Sequence, residues 1–108
     1  MTAGNLLHPG AIARAEPGRA AVIFGDDIMT YAKLDHDSAA IAAMVHAQGV
    51  APGDVMAMLI SNRPEFFTIA WAAQRSALYY LPIPTRLTAA EIRYILEDSG
   101  AKAMFVSP

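Results

Sequence analysis

The sequence predicts an α/β fold with an open, mainly parallel sheet over residues 53 to 107, and three observations lead to it. The run Val55 to Ile60 is continuously apolar, as expected for a strand buried on both faces of a parallel sheet. Two further short apolar runs, Leu78–Leu81 and Ala103–Val106, follow it. Helical patterns separate the three runs, and parallel strands need such crossovers. The order β-α-β-α-β therefore indicates helices on the faces of the sheet.

Residues 1 to 52 are predicted to precede this sheet with a helix, a β-hairpin and a long helix. The boundaries are a helix at Leu6–Ala15, strands at Ala20–Phe24 and Ile28–Tyr31 around a Gly-Asp-Asp turn, and a helix at Tyr31–Gln48. Thr30 is a candidate cap for the long helix, and Gly49 supplies a left-handed residue at its end. Residues 53 to 108 are predicted to complete a single domain with this first part.

The two crossover helices of the second half are predicted from their ends. Thr88 and Glu91 have the spacing of a capping box, in which each side chain bonds the other residue's backbone N–H. Gly100 is the expected left-handed stop of that helix. Asn62 is predicted to cap the other helix, Phe66–Ala77, with Glu65 answering it.

Composition excludes several classes of protein. With 55% hydrophobic and 17% charged residues, the chain is too apolar to be disordered. The net charge of −2 without a basic stripe argues against a nucleic-acid partner. No apolar run approaches the roughly 18 residues that cross a membrane, so no transmembrane segment is predicted. The absence of cysteine excludes disulfides and favours a cytoplasmic location.

Ligands of parallel α/β sheets bind beyond the carboxyl ends of the strands, which here are Ser61–Arg63, Pro82–Arg86 and Ser107–Pro108. None of these carries a glycine-rich phosphate loop. The three histidines are too scattered to form a metal pair, and no serine or cysteine has the surroundings of a nucleophile. Arg86 is interpreted as a solvated charge, with an anion at the following helix N-terminus as the alternative. The residues alone therefore predict no catalytic residue and no metal site.

Several motifs together resemble one family over about Ala20 to Val106. They are Thr30–Leu34, Gly49–Val55, Asn62–Phe66, Pro82–Ser99 and Asp98–Lys102. In order and spacing they are similar to the N-terminal segment of the adenylate-forming, AMP-binding enzymes, which include acyl-CoA synthetases, luciferases and the adenylation domains of peptide synthetases. Within that family the chain looks most like a bacterial acyl-CoA synthetase of the fatty-acid or aryl-acid type.

The resemblance implies a parent enzyme that uses ATP, Mg and CoA to make an acyl-adenylate from a carboxylic acid and then an acyl-CoA. The phosphate loop and the other parts that hold the nucleotide are not found in these 108 residues. The chain is thus expected to be a structural front piece, excised or naturally truncated, with no cofactor of its own and no activity alone. The alternative is a non-catalytic α/β interaction or structural module.

One ligand contact is implied by the resemblance. In some relatives a basic residue just after the helix matching Thr88–Ser99 contacts a phosphate of CoA. Lys102 occupies that place, with Arg93 on the preceding helix. A solvated lysine at the start of a strand is the alternative interpretation.

The sequence departs from the family at three places. Lys33 stands where most members have Glu, Arg75-Ser76-Ala77 replaces a helix-ending Ala-Gly, and Pro84 replaces an asparagine. These changes fall on caps and turns, so the fold prediction is unaffected.

The rest of the parent synthetase is the expected partner. Alone, the chain is expected to be a homo-oligomer, because aromatic residues crowd its second half and open sheet edges are templates for pairing. Exchange of the N-terminal helix or hairpin is one route to such a dimer.

Overall fold

The computed structural model describes residues 9 to 107 and confirms the α/β fold. The elements are α1 (Pro9–Ala15), β1 (Ala20–Phe24), β2 (Asp27–Thr30), α2 (Tyr31–Ala47), β3 (Val55–Leu59), α3 (Glu65–Arg75), β4 (Tyr79–Pro82), α4 (Ala89–Ser99) and β5 (Ala103–Val106). The first predicted helix begins outside the described residues, since Leu6 to His8 are not among them. No helix between residues 9 and 107 combines the length and the apolarity needed to cross a membrane.

The three strands of the second half form one parallel sheet in the order β4-β3-β5. The central strand pairs on both sides, so that Ala57 lies between Leu81 and Met104. Met56, Ala57 and Met58 are 0%, 0% and 1% exposed, as their continuous apolar run predicts. Right-handed crossovers to the two sides of β3 place α3 and α4 on opposite faces of the sheet.

The β1–β2 hairpin forms a separate two-stranded antiparallel sheet. Its strands are joined by Gly25 and Asp26 between the paired residues Phe24 and Asp27. Gly25 has φ +61°, which a type II′ turn requires at its first central position. Because the hairpin does not join the parallel sheet, it pairs with neither edge strand of that sheet.

The core lies between α2, α3 and one face of the parallel sheet. Its buried members come from both helices, the central strand and the turns beside them: Val45, Val50, Met56, Met58, Ile69, Ala73 and Leu78. Side chains alternate along a strand, so Ala57 points to the opposite face. On that face α4 buries no residue completely.

Arg75 joins the end of α3 to α2. Its Nη1 donates to the Asp35 carbonyl oxygen at 3.0 Å, to Ser38 Oγ at 3.0 Å and to Asp35 Oδ1 at 3.3 Å. The fully buried Ser38 in turn donates to the Asp35 carbonyl at 3.1 Å. These contacts set how the two helices that cover the core lie against each other.

The predicted capping box of α4 is confirmed. The Glu91 N–H donates to Thr88 Oγ1 at 3.2 Å, and the Thr88 N–H donates to Glu91 Oε1 at 3.1 Å. Gly100 closes the helix with φ +67°. The cap of α2 is also as predicted, since Thr30 Oγ1 accepts from the Lys33 N–H at 3.2 Å.

The predicted cap of α3 is wrong. The helix begins at Glu65 with Pro64 at the N-cap, and no side chain bonds its first turn. The residue before a proline is disfavoured in the helical region, so the helix cannot begin early enough for Asn62 to be its cap. The carbonyls of Arg63 and Pro64 instead accept from the N–H groups of Phe66 and Phe67.

Candidate functional site at the carboxyl edge of the sheet

The carboxyl ends of the three parallel strands lie at one edge of the sheet, as the sequence predicts. β3 leads to Ser61, β4 leads to Ile83 and β5 leads to Ser107. Backbone hydrogen bonds continue past the strand ends, from Ile83 N–H to the Met58 carbonyl at 2.8 Å and from Ser107 N–H to the Leu59 carbonyl at 3.1 Å. The three segments that follow the strands are therefore held side by side.

Three polar residues at this edge contact one another, and we name them the carboxyl-edge cluster: Ser61, Arg63 and Ser107. The Ser61 N–H donates to Ser107 Oγ at 3.3 Å, and Arg63 Nε donates to Ser61 Oγ at 3.2 Å. The cluster lies between β3 and β5. In open α/β sheets whose central strand is the first in the chain, ligands bind at the carboxyl ends of the strands, between the central strand and its neighbour. At that point the connections that follow the two strands lie on opposite faces of the sheet.

The cluster offers hydrogen-bond donors and no general base. The remaining N–H groups of Arg63 bond no other described residue, so they are available to an anion or a carbonyl oxygen. Among the residues from 9 to 107, no group of three His, Cys, Asp or Glu side chains could hold a metal ion. The arrangement can bind and orient an acceptor, but it lacks the paired base of a nucleophile.

The structure places Lys102 and Arg93 away from this cluster. The Lys102 N–H donates to the Val55 carbonyl at 2.8 Å. Lys102 therefore lies at the amino ends of the parallel strands, on the side of the sheet opposite to the carboxyl-edge cluster. Arg93 is exposed in the middle of α4, in a shallow depression shared with Tyr94 and Glu97. Both cations are exposed, and neither contacts the carboxyl-edge cluster.

The titratable groups of α2 form a small surface network. Lys33 Nζ donates to Asp37 Oδ2 at 2.7 Å, and His36 Nδ1 lies 3.2 Å from Asp37 Oδ1. The hydrogen bond from Lys33, followed by the contact with His36, lowers the pKa of Asp37 below its ordinary value. The same hydrogen bond to Asp37 raises the pKa of Lys33. Lys33, the residue that departs from the family pattern, thus has a partner on its own helix.

Two contacts were not foreseen from the sequence. Ser61 and Ser107 meet although 46 positions separate them, and Arg75 meets Asp35 across 40 positions. The only sequence signal for the first contact is that both serines follow apolar runs of one predicted sheet. His46 is exposed near the end of α2, and His8 lies outside the described residues.

Two of the known proteins similar to this chain are ligases named for fatty acids. A fatty acid–acyl-carrier-protein ligase of Streptomyces coeruleorubidus is 35% identical over 94 residues, which are 87% of this chain and 18% of that ligase. A long-chain-fatty-acid–CoA ligase of Mycobacterium tuberculosis is 38% identical over 76 residues, which are 70% of this chain and 15% of that ligase. The chain therefore spans less than a fifth of the length of either relative.

The fold agrees with these relatives. The o-succinylbenzoate coenzyme A synthetase of Bacillus subtilis, solved in complex with ATP and a magnesium ion, superposes with a TM-score of 0.82 at 29% identity. The superposition covers 93% of this chain and 27% of that chain. A family described as AMP-binding enzyme matches residues 11–108. Because nearly its whole length is matched, the chain belongs to the AMP-binding enzyme family and corresponds to part of the N-terminal region of the family's members.

Proposed function

We propose that the protein containing this chain is an ATP-dependent acyl-CoA ligase of the fatty-acid type. The observation that carries the proposal is the family match over residues 11–108. The identity of 35% and 38% to two ligases named for fatty acids supports that substrate class. In this proposal the whole protein uses ATP, Mg and CoA. The proposed location of the protein is the cytoplasm.

The proposed reaction has two steps. A carboxylate oxygen of the acid attacks the α-phosphorus of ATP, which releases pyrophosphate and leaves an acyl-adenylate. The thiol of CoA then attacks the acyl carbonyl carbon, loses its proton and displaces AMP. Stabilising the charge on the α-phosphate during adenylyl transfer requires oriented donors and a cation around it. These 108 residues contain no glycine-rich phosphate loop, so we assign them a structural role and no catalytic residue.

The isolated chain is expected to release no pyrophosphate from ATP and a fatty acid. The matched experiment uses the intact protein, tested with a series of acids from aryl to long-chain. CoA and acyl carrier protein are offered as alternative acceptors, because one similar ligase is named for each. Pyrophosphate release by the isolated chain would contradict its structural role. Failure of the intact protein with every acid would favour the non-catalytic α/β module.

We further propose that Lys102 and Arg93 contact a phosphate of CoA in the intact enzyme. Both are exposed cations, one on α4 and one directly before β5. Lys102→Ala and Arg93→Ala should raise the KM for CoA and leave the KM for ATP unchanged. Arg14→Ala, which removes an exposed cation from α1, is the matched control. An unchanged KM for CoA in both variants would show that the two side chains are solvated and do not contact CoA.

A further inference from the structure

The β1–β2 hairpin presents an apolar pair of side chains to solvent. Ile23 and Ile28 face each other across the two strands and are 70% and 63% exposed. The neighbouring pair, Val22 and Met29, points to the opposite side, where Met29 is buried. The outer face of the hairpin therefore leaves large apolar side chains without a partner in the described part of the chain.

The outer edge of β1 is also free to pair. Between residues 9 and 107, β1 pairs with β2 alone, and no other backbone hydrogen bond reaches Ala20–Phe24. The register shift between Ala20 and Val22 leaves Val22–Phe24 as the regular part of the strand. An edge with unpaired N–H and C=O groups is a template for another strand.

Charges at the two ends of β1 indicate which strand fits. Arg19 directly precedes the strand, whereas Asp26 and Asp27 follow it at the tip of the hairpin. Arg19 bonds Glu16 at 3.1 Å, but the two side chains remain 58% and 59% exposed, so Arg19 is open to a further anion. A second β1 strand in antiparallel orientation would bring the basic end of each copy to the acidic end of the other. The strand is thus complementary to itself.

The edges of the parallel sheet fit a second copy less well. β4 ends in Pro82, and Pro84 follows, so this edge has no N–H donor at either of these two positions. β5 is preceded by Lys102 and followed by Ser107, so antiparallel pairing would bring no opposite charges together. The charge pattern therefore favours β1.

We propose that two copies of this chain pair through their β1 edges across a two-fold axis. The register places Ile23 opposite the partner's Ile23 and brings Arg19 to the tip of the partner's hairpin, which carries Asp26. The two hairpins then form one four-stranded antiparallel sheet. Strands in a sheet lie about 4.7–4.9 Å apart, so the Ile23 and Ile28 side chains of both copies form one continuous apolar row. This contact covers the apolar pair that each copy leaves in water.

Single cysteines test the register directly, since the chain has none of its own. Directly opposed residues of antiparallel strands have Cα atoms about 4.5–5.5 Å apart, which a disulfide can bridge. Ile23→Cys should form a disulfide-linked dimer under mild oxidation, whereas Ala43→Cys, at an exposed position of α2, should not. Equal cross-linking of the two variants, or none in either, would contradict the register.

Light scattering across a dilution series tests the association. The wild-type mass should rise from 11.5 kDa towards twice that value as the concentration approaches the millimolar range. Ile23→Lys should stay monomeric, while Val106→Lys, a control at a 56% exposed position of β5, should still dimerise. Unchanged far-UV circular dichroism shows that each variant is folded. A wild-type chain that stays at 11.5 kDa throughout, or a dimer abolished by Val106→Lys alone, would overturn the proposal.

Exchanging the charges at the two ends of β1 is a further test of the antiparallel register. Arg19→Asp should raise the dissociation constant by about tenfold, because two symmetry-related ion pairs are lost. The double variant Arg19→Asp, Asp26→Arg should restore it, since the new arginine at the tip of each hairpin lies beside the new aspartate of the other copy. A double variant as weak as the single one would rule out this antiparallel register.

Discussion

Ala77 is a single residue that departs from the family pattern at an energetic cost. It has φ +58° and is the one non-glycine with positive φ among the described residues. The conformation closes α3, because the Leu78 N–H then donates to the Ala73 carbonyl at 2.9 Å. Alanine in the left-handed region costs about 1–2 kcal/mol relative to a right-handed conformation. Glycine, which the family pattern has at the end of this helix, avoids that cost.

Ala77→Gly should therefore raise the free energy of unfolding by about 0.5 kcal/mol. The relief of left-handed strain is partly offset by the greater freedom of glycine in the unfolded chain, which costs about 0.4–1 kcal/mol. Urea denaturation measures the difference. Ala51→Gly, in an exposed turn without a positive φ, is the control and should lose stability. A loss of similar size in both variants would show that Ala77 is not strained.

Asp37 should make stability depend on pH on the acid side. Its pKa is lowered in the folded chain by Lys33 and then His36, so its stabilisation is present above the unfolded pKa. That stabilisation is lost as the pH falls through the folded pKa. For Lys33, whose pKa is raised, the contribution is present below the unfolded pKa and lost as the pH rises through the folded pKa.

Asp37→Asn should accordingly reduce the loss of stability between neutral and acidic pH. Denaturation at several pH values measures this loss, and added salt should shrink the difference because the pair is exposed. If the wild type and the variant lose the same stability on acidification, Asp37 contributes nothing to it.

At the scale of elements, α4 depends on its own ends more than the other crossover helix does. It has no buried residue, whereas α3 has four. Tertiary packing normally supplies most of the stability of a helix of this length. The capping box at Thr88 and Glu91 and the turn at Gly100 are therefore a larger part of what keeps α4 folded.

Thr88→Ala should lower the free energy of unfolding by about 1 kcal/mol, because it leaves a backbone N–H of the first turn without its acceptor. Amide exchange in the first turn of α4 should accelerate as well. Thr85→Ala, an exposed threonine in the preceding loop, is the matched control. If the two variants have the same denaturation midpoint, the cap does not stabilise the helix.

At the scale of the whole molecule, both the parallel sheet and the core are built around β3. β3 pairs on both sides, and its methionines reach the core beneath α2 and α3. On the opposite face of the sheet, Tyr79, Met104 and Val106 stay 69%, 41% and 56% exposed. We expect this apolar surface to be a contact site for further protein, since large exposed apolar patches usually mark such sites.

Met58→Ala should cost roughly 2–5 kcal/mol, because it removes a fully buried side chain from the centre of the core. Met44→Ala is the control, since Met44 is 50% exposed on α2 and its loss should change stability by about 0.5 kcal/mol or less. Thermal and urea unfolding of both variants make the comparison. Similar losses in the two would show that the core is not centred on β3.

The sequence by itself determined the elements and most of their ends. The apolar run of β3, the Thr88–Glu91 spacing and Gly100 act within a few residues, so local chemistry was enough to predict them. The prediction of Asn62 as a cap is wrong because the restriction that Pro64 places on Arg63 outweighs the cap preference of the Asn62 side chain. That restriction is also local, and the sequence contained it.

Only the tertiary structure decided which distant residues meet. The contact of Ser61 with Ser107 and that of Arg75 with Asp35 depend on how the strands are ordered and how α2 lies on α3. The tertiary structure also decided that the hairpin stays separate from the parallel sheet, because strand patterns do not specify which strands pair. Each of these choices is set by packing summed over the whole core. No short stretch of sequence encodes that sum.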